Sequence, residues 1–355
     1  MGLRFKCLFS LIALMYFDVA MPLTLFAVTL VATFLNDKVE RKLRMTFEEK
    51  EFGAKDAVML VAAISLAISL MVFIPQMAVM VIFLFAYAAL LFLFTYIFSD
   101  FKKIKAQLFC AAFLTVSFIA ATISLFSLDV LEGLSAYGAA AFFSLFGFSF
   151  IAITYEEIET RGGRRWYLAI LPSALFIILY VFYNKSSIWF PYLLNMYGII
   201  FAILVILYLG ALFTWKTTLI FAGLLTVADI VLVLVTGTMV SAATHVTALR
   251  LPVLVTLPTI PEITTRWGTL YISLGLGDFF FAGLIAVQTY KKHGRQLAVL
   301  SAAAIAASFF IFEALILTFN LRAFPGTLMI ICGWLPLLLL KALKTPKIFS
   351  VNQNL

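Results

Sequence analysis

The sequence predicts an all-α polytopic membrane protein, and three observations predict it. Hydrophobic residues make up 64% of the 355-residue chain and charged residues only 12%, about half the charged share of an average soluble domain. Apolar runs of about 20 residues, each long enough to cross the hydrocarbon as a helix, recur along the whole length. Between them no polar stretch is long enough to fold a sizeable soluble domain. The net charge of +8 gathers at the ends of the apolar runs, where it meets anionic head groups and sets orientation, so it gives no reason to invoke nucleic acid.

Eleven spans are expected in order, near 7–35, 56–74, 76–98, 105–127, 137–154, 166–183, 188–213, 217–237, 268–289, 296–320 and 325–343. The first follows Arg4 and Lys6 as a signal peptide would. Its apolar run is too long for that and lacks a small-residue cleavage site, so it reads as a membrane anchor. The second and third are separated only by Ile74-Pro75-Gln76, a hairpin turn or a break in one helix. Cys7, Cys110 and Cys332 lie in or beside apolar segments and read as small buried hydrophobes, without a disulfide framework. The two histidines, His245 and His293, are far apart, have no Cys partners and are read as solvated loop residues, so no metal site and no cofactor are expected.

Orientation follows from the connections. Basic residues collect in 36–55, then at Lys102, Lys103 and Lys105, at Arg161, Arg164 and Arg165, at Lys216, at Lys291, Lys292 and Arg295, and at Lys341, Lys344 and Lys347. With eleven spans all of these fall on one side. Asp129 and Glu132, Lys185, the connection 238–267 and Arg322 fall on the other. The excess of positive charge inside then places the C-terminus in the cytoplasm, and the membrane expected is the plasma membrane.

Four carboxylates interrupt the apolar runs: Asp18, Asp229, Asp278 and Glu313. An Asp at the centre of a membrane helix costs about 2.5–3.5 kcal/mol on insertion scales, so each needs a reason. Asp229 in "LLTVADIVLVLVTG" and Asp278 in "YISLGLGDFFFAGLIAV" belong to consecutive spans, which can pack side by side. Two adjacent carboxyls do not both ionise readily; one keeps its proton while the other is charged. Such a pair can activate water with one member and protonate a scissile carbonyl with the other. Gly275 and Gly277 leave room beside Asp278 for a neighbouring helix or a substrate backbone, although small residues also serve ordinary helix packing.

At "GLGD" (275–278), preceded by an Asp in "ADIVLVLVTGTMV" (228–240), the chain resembles the GxGD intramembrane aspartyl proteases, presenilin and signal peptide peptidase. The resemblance covers about 190–345. It includes the Asn-Tyr-Gly-like "LNMYGIIFAILVILYLG", "FAGLLTVAD", Gly237-Thr238, the amphiphilic "LRLPVLVTLP" and a Pro opening the last span. It implies a presenilin-like nine-helix core with about two extra N-terminal helices, so that 1–75 is an addition, 76–215 holds the first core helices, 216–345 the catalytic ones and 346–355 a tail. It implies a catalytic pair, Asp229 and Asp278, beside Gly275, Leu276 and Gly277. The family's Pro-Ala-Leu motif falls on Pro325, Gly326 and Thr327. Ala228 stands where the family has Tyr, and Gly326 and Thr327 where it has Ala and Leu. The implied substrates are transmembrane peptides or signal peptides in the lipid bilayer.

Two other functions use the same residues. A proton- or cation-coupled transporter also places carboxylates at membrane depth, but the internal repeat expected of such folds is missing from the sequence. A catalytically idle scaffold would tolerate the changes at Ala228 and at the Pro-Ala-Leu position. Asp18, near one end of its span, reads as structural; Glu313 in "FFIFEALIL" reads as an interhelical hydrogen bond or as lining for a water path. The connection 238–267 is expected to contribute an extended segment at 249–258, because its prolines and β-branched residues suit an edge strand better than a helix.

Overall fold

The computed structural model describes residues 16–46, 51–73, 87–88, 90–126, 134–158, 165–266, 268–321 and 323–344. The turn at 74–76, Cys7, Asp129, Glu132, Arg161, Arg164, Arg322 and Lys347 lie outside the described residues. The chain is an all-α polytopic membrane protein: among the described residues, seven helices are long and apolar enough to cross a bilayer. It divides into two compact units, one of residues 1–75 with 195–355 and one of residues 76–194.

The second unit is a helical assembly. Helices α3 (Lys103–Phe126) and α4 (Leu134–Ile158) pack along their length, followed by a tight turn at Trp166–Ala169 and α5 (Ile170–Tyr183). Cys110 is buried with Ala106, Leu145 and Leu168. At one end, Arg165 is tied to the buried Glu156 at 2.7 Å and donates to the carbonyl of Phe101 at 2.6 Å. Tyr167 donates to the same Glu156 oxygen. A buried carboxylate with a charged partner and added donors is the arrangement that limits its desolvation cost.

The first unit contains α1 (Ala20–Thr46), α2 (Ala54–Phe73), α6 (Leu194–Leu212), α7 (Trp215–Ile230, continuing as a wider turn through Val231–Val235), α8 (Thr238–Ala248), α9 (Leu276–His293), α10 (Arg295–Phe319) and α11 (Gly326–Lys344). Helix α9 is its axis: every residue from Phe279 to Thr289 is buried, as expected of a helix apolar on all sides. It packs against α1, α7, α10 and α11. Gly283 lets α6 cross closely, since a Cβ there would run into Ile206. Gln288 donates to the carbonyls of Gly210 and Phe213 at 3.1 and 2.7 Å, satisfying the end of α6. On α11, Gly333 lies against the backbone of Ala304, and Ser308 of α10 donates to the carbonyl of Met329 at 2.7 Å. Cys332, read from the sequence as buried, is exposed on α11, a surface that meets lipid in a spanning helix. Composition does not separate a protein-covered thiol from a lipid-covered one.

Three boundaries differ from the sequence expectation. The first described helix starts at Ala20, where Asp18 caps it, accepting from the N–H groups of Ala20 and Met21 at 3.0 Å each, so 16–19 are not the helix expected there; the expected start near residue 7 lies outside the described residues. The same carboxylate accepts from Ile260 N at 2.6 Å, and Val19 N donates back to Ile260 O at 2.9 Å. Asp18 is therefore a buried clasp, the structural role expected of it. The span expected from 268 begins only at Leu276; residues before it are extended. The connection 238–267 opens with α8, which contains His245, before the expected strand; His293 ends α9.

That strand, β1 (Leu254–Pro258), pairs antiparallel with β4 (Tyr271–Gly275), while β2 (Thr264–Thr265) and β3 (Gly268–Thr269) form a small hairpin between them. The other edge of β1 is closed by a side chain. Asn195 donates to the Thr256 carbonyl at 2.6 Å and accepts its N–H at 2.7 Å, acting as a one-residue strand partner. Gly198 admits the close approach of Leu254 and Val255. Two members of the "LNMYG" motif thus hold the sheet against α6.

Candidate functional site

Helix α7 begins at a capping box, in which Thr214 and Thr217 satisfy each other's first-turn groups. Asp229 is the fourteenth residue beyond Trp215, about 21 Å along the helix at 1.5 Å per residue. Asp278 stands fifteen residues before His293 on α9, about 22 Å from that end. The two ends meet: the Trp215 and His293 rings are 5.1 Å apart and Lys292 lies 4.9 Å from the Trp215 ring. Equal depth from a shared end brings the two carboxylates to one level, within electrostatic reach of each other.

One turn joins them. Pro325-Gly326-Thr327 opens α11, and its consecutive residues address different aspartates. Thr327 donates to Asp229 Oδ2 twice, from Oγ1 at 2.7 Å and from its backbone N–H at 3.2 Å. Gly326 lies against Asp278; a Cβ there would be 2.7 Å from the Asp278 Cγ. Asp229 is buried and Asp278 half-buried.

The strand-to-helix junction positions Asp278. Gly275 ends β4 in an extended conformation (φ −69°, ψ 146°) and serves as the N-cap of α9, so Asp278 is the third residue of the helix, in its first turn. There the helix dipole favours negative charge. The glycines were expected to lie inside a helix before Asp278; Gly275 instead marks where extended chain becomes helix. A Cβ on Gly275 would touch the Asp278 carboxylate at 3.4 Å, and Gly277 is exposed with open space around it. Leu276 donates its N–H to Val253 O at 3.0 Å, tying the start of α9 to the chain entering β1.

The structure therefore brings together Asp229, Asp278, Gly275, Gly326 and Thr327, with Leu276, Gly277 and Pro325 as their chain neighbours. Glu313 is not part of this cluster. It is buried in α10, and among the described residues neither carboxyl oxygen has a hydrogen-bond partner, so the expected interhelical bond is not found there. No group of three or more His, Cys, Asp or Glu with metal-binding geometry occurs among the described residues. Sequence reasoning placed Thr327 beside the pair but missed that its hydroxyl donates to Asp229. It also missed the role of Asn195, which was visible as a motif without a purpose.

Together these features define a multi-pass helical membrane protein with two acidic side chains gathered beside a broken strand-helix junction. Comparison with protein-family models, curated proteins and solved structures finds no match to this chain.

Proposed function

We propose that this protein is an intramembrane aspartic endopeptidase of the GxGD type, hydrolysing peptide bonds within transmembrane segments. The observation that carries this reading is the Pro325-Thr327 turn, which contacts Asp229 through Thr327 and Asp278 through Gly326. In the reaction, one ionised aspartate takes a proton from water, whose oxygen attacks the scissile carbonyl carbon. The other aspartate gives its proton to the carbonyl oxygen, leaving a gem-diol. Collapse of the gem-diol returns a hydroxyl proton to the second aspartate and breaks the C–N bond. The leaving nitrogen takes the proton held by the first, and both carboxyls regain their starting states.

A transmembrane helix must unwind before its carbonyl can be attacked, and its freed backbone groups then need partners. Strand β4 supplies them. Because Thr256 spends its backbone groups on Asn195, its pairing with Ser273 is of the non-hydrogen-bonded kind, and the Ser273 N–H and C=O face away from β1. This free edge lies five residues before Asp278, and an unwound substrate adds to it as a strand. Ser273→Pro removes the edge N–H. The expected result is a KM higher by about 3- to 10-fold, the value of one backbone hydrogen bond, with β1 pairing intact. An unchanged KM would count against strand addition.

The cytoplasmic C-terminus and the plasma membrane are part of the same reading. Its support is the convergence of basic residues at one end of the first unit. There Lys291 pairs with Glu40 at 2.9 Å, Arg295 lies over Phe34 at 4.7 Å and Lys292 over Trp215. Substrates with a cytoplasmic N-terminus follow from that orientation, as in signal peptide peptidase. A reporter enzyme active only outside the cytoplasm, fused after Leu355, is expected to be silent; activity would reverse the assignment.

The decisive experiment incubates the purified protein in detergent with a membrane-spanning model peptide, beside Asp278→Ala. Cleavage by the wild type alone supports the protease. Ion flux without cleavage would instead identify a transporter.

A further inference from the structure

The two aspartates are not equivalently surrounded. Asp229 Oδ2 takes both Thr327 donors, one of them a backbone N–H in the first turn of α11. That amide belongs to the set a helix leaves without internal partners, so Asp229 caps α11 from another helix and meets the positive end of its dipole. Neither bond uses Oδ1. Asp278 also has a helix N-terminus beside it, its own, and accepts a backbone hydrogen bond from Gly275, but among the described residues no side chain donates to it and the bare Gly326 offers none; the Thr327 hydroxyl is what separates the two sites. Donors aimed at a carboxylate favour its ionised form, and two neighbouring carboxyls share one proton.

We infer that Thr327 is a positioning residue that fixes the division of labour in the pair: it holds Asp229 as the ionised, water-activating member, leaving Asp278 to carry the proton given to the scissile carbonyl. The hydroxyl occupies Oδ2 and turns Oδ1 to the water, so the base atom is defined as well as the base residue. This rests on the protease reading for its chemistry, but the hydrogen bond and the proton's location are measurable without turnover. Val at this position keeps the branched shape and loses the hydroxyl; Ser keeps the hydroxyl and loses a methyl.

The test combines kinetics with infrared spectroscopy on the detergent-purified full chain. Thr327→Val is expected to lower kcat about 10- to 100-fold, the worth of one hydrogen bond to a charged group, with KM within about 2-fold. Thr327→Ser is expected to stay within about 3-fold of wild type. A role in packing alone would be rescued by shape instead, leaving Val active and Ser impaired, and that result would overturn the inference. In the infrared, the band of the protonated carboxyl is expected to vanish in Asp278→Asn, and an ionised-carboxylate band to vanish in Asp229→Asn and shift in Thr327→Val. Loss of the protonated band in Asp229→Asn would reverse the roles and refute the assignment. If the bands behave as expected while the wild type cuts no membrane peptide, the protease reading fails and the Thr327 assignment stands. If the wild type cuts and Thr327→Val matches it in kcat, the assignment fails and the protease stands.

Discussion

Asp229→Asn and Asp278→Asn are each expected to lower the cleavage of a membrane-spanning peptide by about 10²- to 10⁴-fold, the contribution of a positioned acid or base. The double substitution is expected to cost little more than either, because in the proposed mechanism the two side chains act on one water and one carbonyl as a unit. Folding should survive in all three. Asn keeps the volume of Asp, its carbonyl oxygen can still accept from Thr327, and a neutral amide is cheaper to bury in a membrane than a charge. Thermal unfolding in detergent checks this alongside the rate. The wild-type rate is expected to fall at low pH, where both carboxyls hold protons, and at high pH, where neither does, since the proposed mechanism needs one proton between them. An Asp278→Asn protein that still cuts membrane peptides would end the two-aspartate mechanism.

The second large effect is expected at Gly326. A side chain there has nowhere to go: its Cβ would come 2.7 Å from the Asp278 Cγ and 3.0 Å from Oδ2. Gly326→Val therefore forces Asp278 to rotate away from Asp229 or α11 to shift as a body. A displacement of about 1 Å at a reacting group costs on the order of 10²-fold in rate, and overpacking costs about 1–3 kcal/mol in stability. The expected result is a protein that remains folded with a rate reduced by about 10²-fold. Gly147→Ala on α4, where a Cβ meets nothing within 4 Å, serves as the control for glycine replacement in a helix. A Gly326→Val protein cutting at the wild-type rate would show that the turn does not hold Asp278.

Much of this was legible in the sequence because it rests on composition and period. Burying a helix in hydrocarbon demands about 20 apolar residues, and the runs that became α3, α6, α7 and α10 meet that demand without help from their neighbours. A carboxylate inside such a run is conspicuous because it is costly, which is why Asp229 and Asp278 stood out before any fold was known. The strand at 254–258 was legible for a similar reason, since Pro252 and Pro258 around β-branched residues oppose a helix.

What the sequence could not give depends on partners distant along the chain. An apolar run does not say where its helix starts; at α1 that is decided by Asp18, whose carboxylate also reaches Ile260, 242 residues away. Residues 271–275 are apolar enough for a helix, yet they are drawn into a sheet because β1 is present to pair with them and Asn195 is present to close its far edge. Backbone polar groups in an apolar setting must be satisfied, and which partner satisfies them is a tertiary fact. Thr327 shows the same limit at the site. In sequence it is a small polar residue near the start of a helix, and only the packing of α11 beside α7 turns it into the donor that distinguishes one aspartate from the other. The sequence determined that two acidic groups lie in the membrane on neighbouring helices; the tertiary structure decided that one turn contacts both and treats them differently, because a hydrogen bond depends on direction and distance while hydrophobicity depends on neither.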